Sequence, residues 1–262
     1  VLGPVSVIEA LKPQQMRDFH ARWYQPQSMT AVAVGNLPVE ELIEIVAEGI
    51  EPKKASNPSP IADYQLPITQ PEQPFKEIVR REYVDSSLQQ ARLMMIWRVP
   101  GLTDLHETYA LDVLAAILGS GRTSRLVKDL RENRRLVTNI SASNMTNQIQ
   151  GTFYISAQLP VENLAEVESA IASHIREIQT SPVTKAEIAR VRTQVANRFV
   201  FANETPSDRA GMYGYYQSMV SDLAPVLNYP TRIQALDKAD LQLAANRYLS
   251  PEAYGIVTIK PF

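Results

Sequence analysis

The sequence contains no cysteine, and only three of its 262 residues are histidine. The first absence excludes thiolate catalysis, disulfides and thiol-ligated metals. It suits a reducing compartment without establishing one. The histidines, His20, His106 and His174, stand too far apart for two to share a helix face four residues apart, which excludes a paired-histidine metal helix. Excess charge is also missing: 28 acidic residues face 26 basic ones, which disfavours a nucleic-acid partner. No apolar run approaches the roughly 18 residues of a membrane span, and no signal peptide opens the chain. The compartment, cytoplasmic or periplasmic, stays open. What is present is enough apolar material, 45 % of residues, for a substantial core.

Residues 51–75 hold Pro52, Pro58, Pro60, Pro67, Pro71 and Pro74 without one glycine. Such a stretch reads as a semi-rigid extended linker. Before it, Met16, Phe19 and Trp23 mark an apolar helical face that Pro26 stops. Met29–Val34 is β-rich, and Pro38 opens a helix through Glu40, Glu41 and Ile43. Residues 1–50 cannot close a core alone, because a single strand has no partner.

The segment 76–262 is richer. Strands are expected at Val79–Val84, Leu93–Val99, Thr138–Ser143, Thr152–Leu159 and Gly255–Ile259. Helices are expected over about 103–118, 123–134, 162–179, 185–202 and 206–220. Phe153, Ile155, Ala157 and Leu159 alternate with polar neighbours as in a half-buried strand. Thr184 with Glu187 forms a capping box, and Thr205-Pro206 with Asp208 marks a second helix start. This order predicts an α+β domain with a largely antiparallel sheet backed by helices.

The chain also repeats. At an offset of 225 residues, Ile8 to Val34 lies without a gap on Ile233 to Ile259. Ile8, Ala10, Leu11, Arg22 and Pro26 meet Ile233, Ala235, Leu236, Arg247 and Pro251; Met16, Trp23, Val32 and Val34 meet Leu241, Tyr248, Val257 and Ile259. If the unit starting near residue 76 is duplicated, about 150 residues of its twin are expected upstream of Val1.

Val1-Leu2-Gly3, Phe19-His20-Ala21-Arg22-Trp23-Tyr24-Gln25-Pro26 and Asn36-Leu37-Pro38-Val39-Glu40-Glu41-Leu42 resemble the late first domain of pitrilysin/insulinase-type zinc peptidases. Leu118-Gly119-Ser120-Gly121-Arg122-Thr123-Ser124-Arg125-Leu126 with Leu130-Arg131-Glu132 resembles the signature of their second domain. The kin it resembles most are bacterial members similar to mitochondrial processing peptidase. The resemblance implies a peptide-enclosing chamber of metalloprotease-like two-layer domains, with zinc held by a His-x-x-Glu-His helix and a downstream Glu. On this reading residues 1–50 end the zinc-bearing domain, 51–75 are the linker, and 76–262 are the whole metal-free domain. No metal or cofactor is expected in the chain itself, zinc being expected upstream. In the repeat register the helix near 105–117 is the twin of the zinc helix and offers Tyr109, Leu111 and Asp112, a packing set.

The resemblance also implies substrate contacts. Arg131 matches an arginine that binds the substrate carbonyl, and seven residues on stands Thr138 where the pattern has Tyr. Lys128, Arg131 and Arg135 also read as a solvated helix face. The loop of Gly119 and Gly121 matches a glycine-rich stretch facing the chamber, and also reads as a plain connector. The partners implied are peptide or unfolded polypeptide, the missing domain or a homologous subunit, and a second copy through self-association. Two functions stay open: the non-catalytic portion of a processing-type zinc endopeptidase, or a non-catalytic homologue serving as substrate-binding or structural subunit.

Overall fold

The computed structural model describes residues 3–26, 29–50 and 70–262. Most of the expected linker, 51–69, lies outside the described residues, as do Val1 and Leu2. Three helices come first: α1 (Val5–Ala10), α2 (Pro13–Trp23) and α3 (Val39–Gly49). Five strands follow, β1 (Val79–Val84), β2 (Ala91–Pro100), β3 (Asn139–Met145), β4 (Gln150–Leu159) and β5 (Gly255–Lys260). They form one sheet in the order β1-β5-β2-β4-β3, antiparallel except for the parallel β1–β5 pair.

Alternation explains why the sheet has one buried face. In β2, Ala91, Leu93, Met95, Trp97 and Val99 are buried, whereas Arg92 and Met94 are exposed. In β4 the buried set is Phe153, Ile155, Ala157 and Leu159. That face meets α4 (Leu105–Gly119), α5 (Leu164–Thr180) and α10 (Lys238–Tyr248), giving a helix layer on a sheet. Apolar residues surround α4 almost completely, from Leu111 and Leu114 to Ile117 and Leu118, because it is sandwiched between the sheet and outer helices. The outer helices are α6 (Lys185–Phe201), α7 (Pro206–Val220), α8 (Ala224–Leu227) and α9 (Tyr229–Ala235).

The expected helix starts form. Thr184 Oγ1 accepts from the Glu187 amide at 3.2 Å while Glu187 Oε2 accepts from the Thr184 amide at 2.8 Å. Thr205 Oγ1 likewise accepts from the Asp208 amide at 3.1 Å. Residues 70–75, read as linker, lie on the sheet. Gln150 and Glu72 exchange side-chain-to-backbone hydrogen bonds, and Arg98 donates to the Gln73 carbonyl at 2.7 Å.

Two expectations need correcting. Met29–Val34 forms no strand, because no strand of the described residues lies beside it to take its backbone hydrogen bonds. The helix placed over 123–134 winds as a π-helix across Val127–Asn133. Its five-residue step is visible in the Arg134 amide donating to the Asp129 carbonyl at 2.9 Å. Arg135, in the left-handed region at φ 55°, ends it.

The repeat is carried by helices. Both copies break into two at the same place, Leu11 at ψ 128° and Leu236 at ψ 135°. The second helix then spans 11 residues in each copy, α2 and α10, at the same offset. Lys12 donates its amide to Gln15 Oε1 at 2.8 Å, as Asp237 does to Asp240 Oδ2 at 2.8 Å. The copies differ after that: β5 is a strand, and its counterpart around Met29–Val34 is not.

Candidate functional site

Gly119 ends α4 against β3. A Cβ added there would fall 2.0 Å from the Ala142 backbone nitrogen, so only glycine allows this approach. The chain then turns through Gly121 at φ +84°, where nothing crowds the missing side chain. Ser124 is fully buried and closes the turn, its hydroxyl donating to the Gly121 carbonyl at 2.7 Å. Two arginines of α6 hold Ser120: Arg190 donates to its carbonyl at 3.2 Å and Arg198 to its hydroxyl at 3.1 Å. The loop is therefore a tethered connector.

Arg131 sits half-buried in the last turn of the π-helix and donates twice to Glu132 Oε1, at 2.9 and 2.7 Å. Arg122, from the glycine loop, donates to Glu132 Oε2 at 3.1 Å. These hydrogen bonds, from Arg131 first and Arg122 second, hold the Glu132 carboxyl below its ordinary range. Loop and helix thus present one unit of two guanidinium groups around one carboxylate. Lys128 and Arg135 are exposed, and the part-exposed Arg131 is engaged by Glu132. Thr138 is not part of the unit: its hydroxyl lies 2.8 Å from Gln90 Oε1 and 3.1 Å from the Gln158 carbonyl.

Beside the π-helix a polar groove of about 350 Å³ is lined by Asp129, Arg134, Glu166, His174 and Glu177. His174 Nε2 stands 3.0 Å from Asp129 Oδ2, tying α5 to the π-helix. His106 is exposed at the start of α4, next to Glu107, which accepts from Arg247 and from the Tyr248 hydroxyl, each at 3.0 Å.

The model of the peptidase M16 inactive domain matches residues 10–195. The chain belongs to this family. Zinc protease PqqE of Helicobacter pylori is 22 % identical over 98 % of the chain and 58 % of its own length. The chain therefore spans less than two thirds of that relative. A protease crystal structure from Helicobacter pylori superposes with a TM-score of 0.84 at 22 % identity, covering 99 % of this chain and 61 % of the other. The peptidase M16 inactive domain from Pseudomonas fluorescens superposes with a TM-score of 0.76 at 20 % identity, over 99 % and 60 %. This M16 domain has the mixed α+β fold of both.

Zinc stands in the name of the Helicobacter pylori relative. Among the described residues no three His, Asp or Glu side chains converge as a ligand set. In α4, Tyr109 and Leu111 are core residues. Asp112, read in the sequence as packing, is a carboxylate whose oxygens accept from Asn144 Nδ2 at 2.8 Å and the Tyr229 hydroxyl at 3.0 Å. Burial pushes its pKa up to about 6. The sequence offered one signal for this: an Asp set in the apolar run Ala110-Leu111-Asp112-Val113-Leu114.

Proposed function

We propose that this chain is the metal-free portion of a zinc endopeptidase of processing-peptidase type. It forms one wall of a peptide-binding chamber, and hydrolysis depends on a zinc motif outside it. The observation that carries this reading is a contrast between the two copies of the helix pair. In α9 and α10, Ile233 and Leu241, with Leu249 just after α10, are buried under α4, α5 and the sheet. Their counterparts Ile8, Met16 and Tyr24 are exposed. The same pair in the same geometry calls for the same cover, a sheet-and-helix domain like residues 76–262. Family membership and the relatives' greater length support an upstream domain of that kind.

Within the chamber wall, Arg131 and Arg122 are the groups suited to a peptide carbonyl, being cationic donors fixed by Glu132. The loop of Gly119 and Gly121 places Arg122. Thr138, with its hydroxyl on Gln90, has a lesser part. A fluorescein-labelled unstructured 20-residue peptide, followed by anisotropy, tests this. Arg131→Ala is expected to weaken binding about tenfold, the loss of one charged hydrogen bond. Equal binding by wild type and Arg131→Ala removes Arg131 from the site, and no binding by wild type removes the site.

A further inference from the structure

Asp112 of α4 lies where three elements meet. Asn144 reaches it from β3 and Tyr229 from α9, and both partners are neutral donors. Among the described residues the carboxylate makes no ion pair. The titratable groups around it are Tyr109 on α4, Tyr216 on α7 and Tyr229 on α9, and Arg232 of α9 acts on Tyr109. Tyr109 packs edge-on against Tyr229 at 5.7 Å. Asn144 Oδ1 is buried without a hydrogen-bond partner, so the cluster is short of a donor. Asp112 is part-buried with both carboxylate oxygens taken by these donors, and a carboxylate so placed is costly in its charged form unless a cation or more donors attend it.

We propose that Asp112, Asn144 and Tyr229 form a proton-operated latch that fastens α9 to α4 and β3 when Asp112 takes up a proton. Protonation removes the part-buried charge and adds one donor to the cluster. Ionisation favours the open state, in which α9 lifts and water hydrates the carboxyl fully. The sign follows from the raised pKa. In the closed state Asp112 holds its proton up to about 6, and in an open, hydrated state only to its ordinary value of 3.8. Between those values the closed state binds more protons, so acidification tightens the latch and the effect levels off on both sides. The largest change is about a hundredfold in the opening constant, from a shift of about two pKa units.

Two readouts on the full chain test the latch. With 13C-labelled aspartate, the Asp112 Cγ resonance is expected to titrate near pH 6. Amide exchange, corrected for intrinsic rates, is expected to show protection of 229–235 rising up to about a hundredfold from pH 7 to pH 4, with 164–180 nearly level. In Asp112→Asn the α9 response is expected to flatten. A Cγ resonance titrating near the ordinary aspartate value overturns the proposal. So does pH-independent protection of α9 in wild type, or an unchanged response in Asp112→Asn. The wild-type measurements decide the matter even if the variant fails to fold.

Discussion

Ile8 and Ile233 occupy the same position in two copies of one helix pair, yet Ile233 is 1 % exposed and Ile8 48 %. Local sequence built the same helices twice, and only one copy found a core. Ile233→Ala is expected to cost about 2–5 kcal/mol, as large-to-small changes in cores do. Ile8→Ala is expected to stay within about 0.5 kcal/mol in this chain, as exposed substitutions do. Urea titration of both variants checks the contrast, and equal losses would place Ile8 in a core.

The two glycines of the loop are expected to differ just as sharply. Gly119→Ala drives a methyl into the backbone of Ala142, and a loss of about 2 kcal/mol or more is expected because backbone cannot yield as a side chain does. Gly121→Ala meets only open space, so its penalty is the left-handed φ of +84°, about 1 kcal/mol. Thermal melts of the two variants give the ranking.

Much of this fold is legible in the sequence alone. β1 has the bounds its residues indicate, and β4 follows from Phe153, Ile155, Ala157 and Leu159, because a period of two leaves its mark on the sequence. Thr184 and Thr205 announce α6 and α7 through their own side-chain chemistry. Met29–Val34 misled because β-propensity says that a segment suits a sheet, not that a sheet lies beside it. The π-helix was invisible, since one extra residue in a turn scarcely alters the spacing of Leu126, Val127 and Leu130. Of the site, Arg131 was placed on a helix, but its bond to Glu132 and the link to Arg122 depend on how the loop folds back. Long-range pairs such as Asp129 with His174 leave no local trace.

Acid is expected to act in opposite senses at two carboxylates. Arg125 hydrogen bonds, at 2.7 and 3.0 Å, with smaller help from Thr184, hold Glu187 down to about 2. A depressed pKa means that its stabilisation is full above the ordinary 4.5 and is lost as pH falls towards 2. Glu187→Gln is expected to cost about 2 kcal/mol at pH 7 and little near pH 2. Chemical denaturation across that range measures it, and a penalty independent of pH contradicts the assignment.

The exposed faces of α1–α3, including Val5, Phe19, Val39 and Ile43, are expected to draw copies together. Light scattering is expected to show the full chain self-associating while a chain from Gln70 to Phe262, which retains the sheet and its helices, stays monomeric. A monomeric full chain, or a shortened one that still associates, points elsewhere.

The central claim is that this chain supplies a chamber wall while another segment supplies the zinc. The most direct measurement pairs elemental analysis with peptide hydrolysis, first on this chain alone and then on the same chain joined to the residues encoded immediately before it. The account predicts no stoichiometric zinc and no cleavage for the chain alone, and one zinc per molecule with cleavage for the joined form. One tightly held zinc or peptide cleavage in the chain alone, or a joined form without metal, would contradict it.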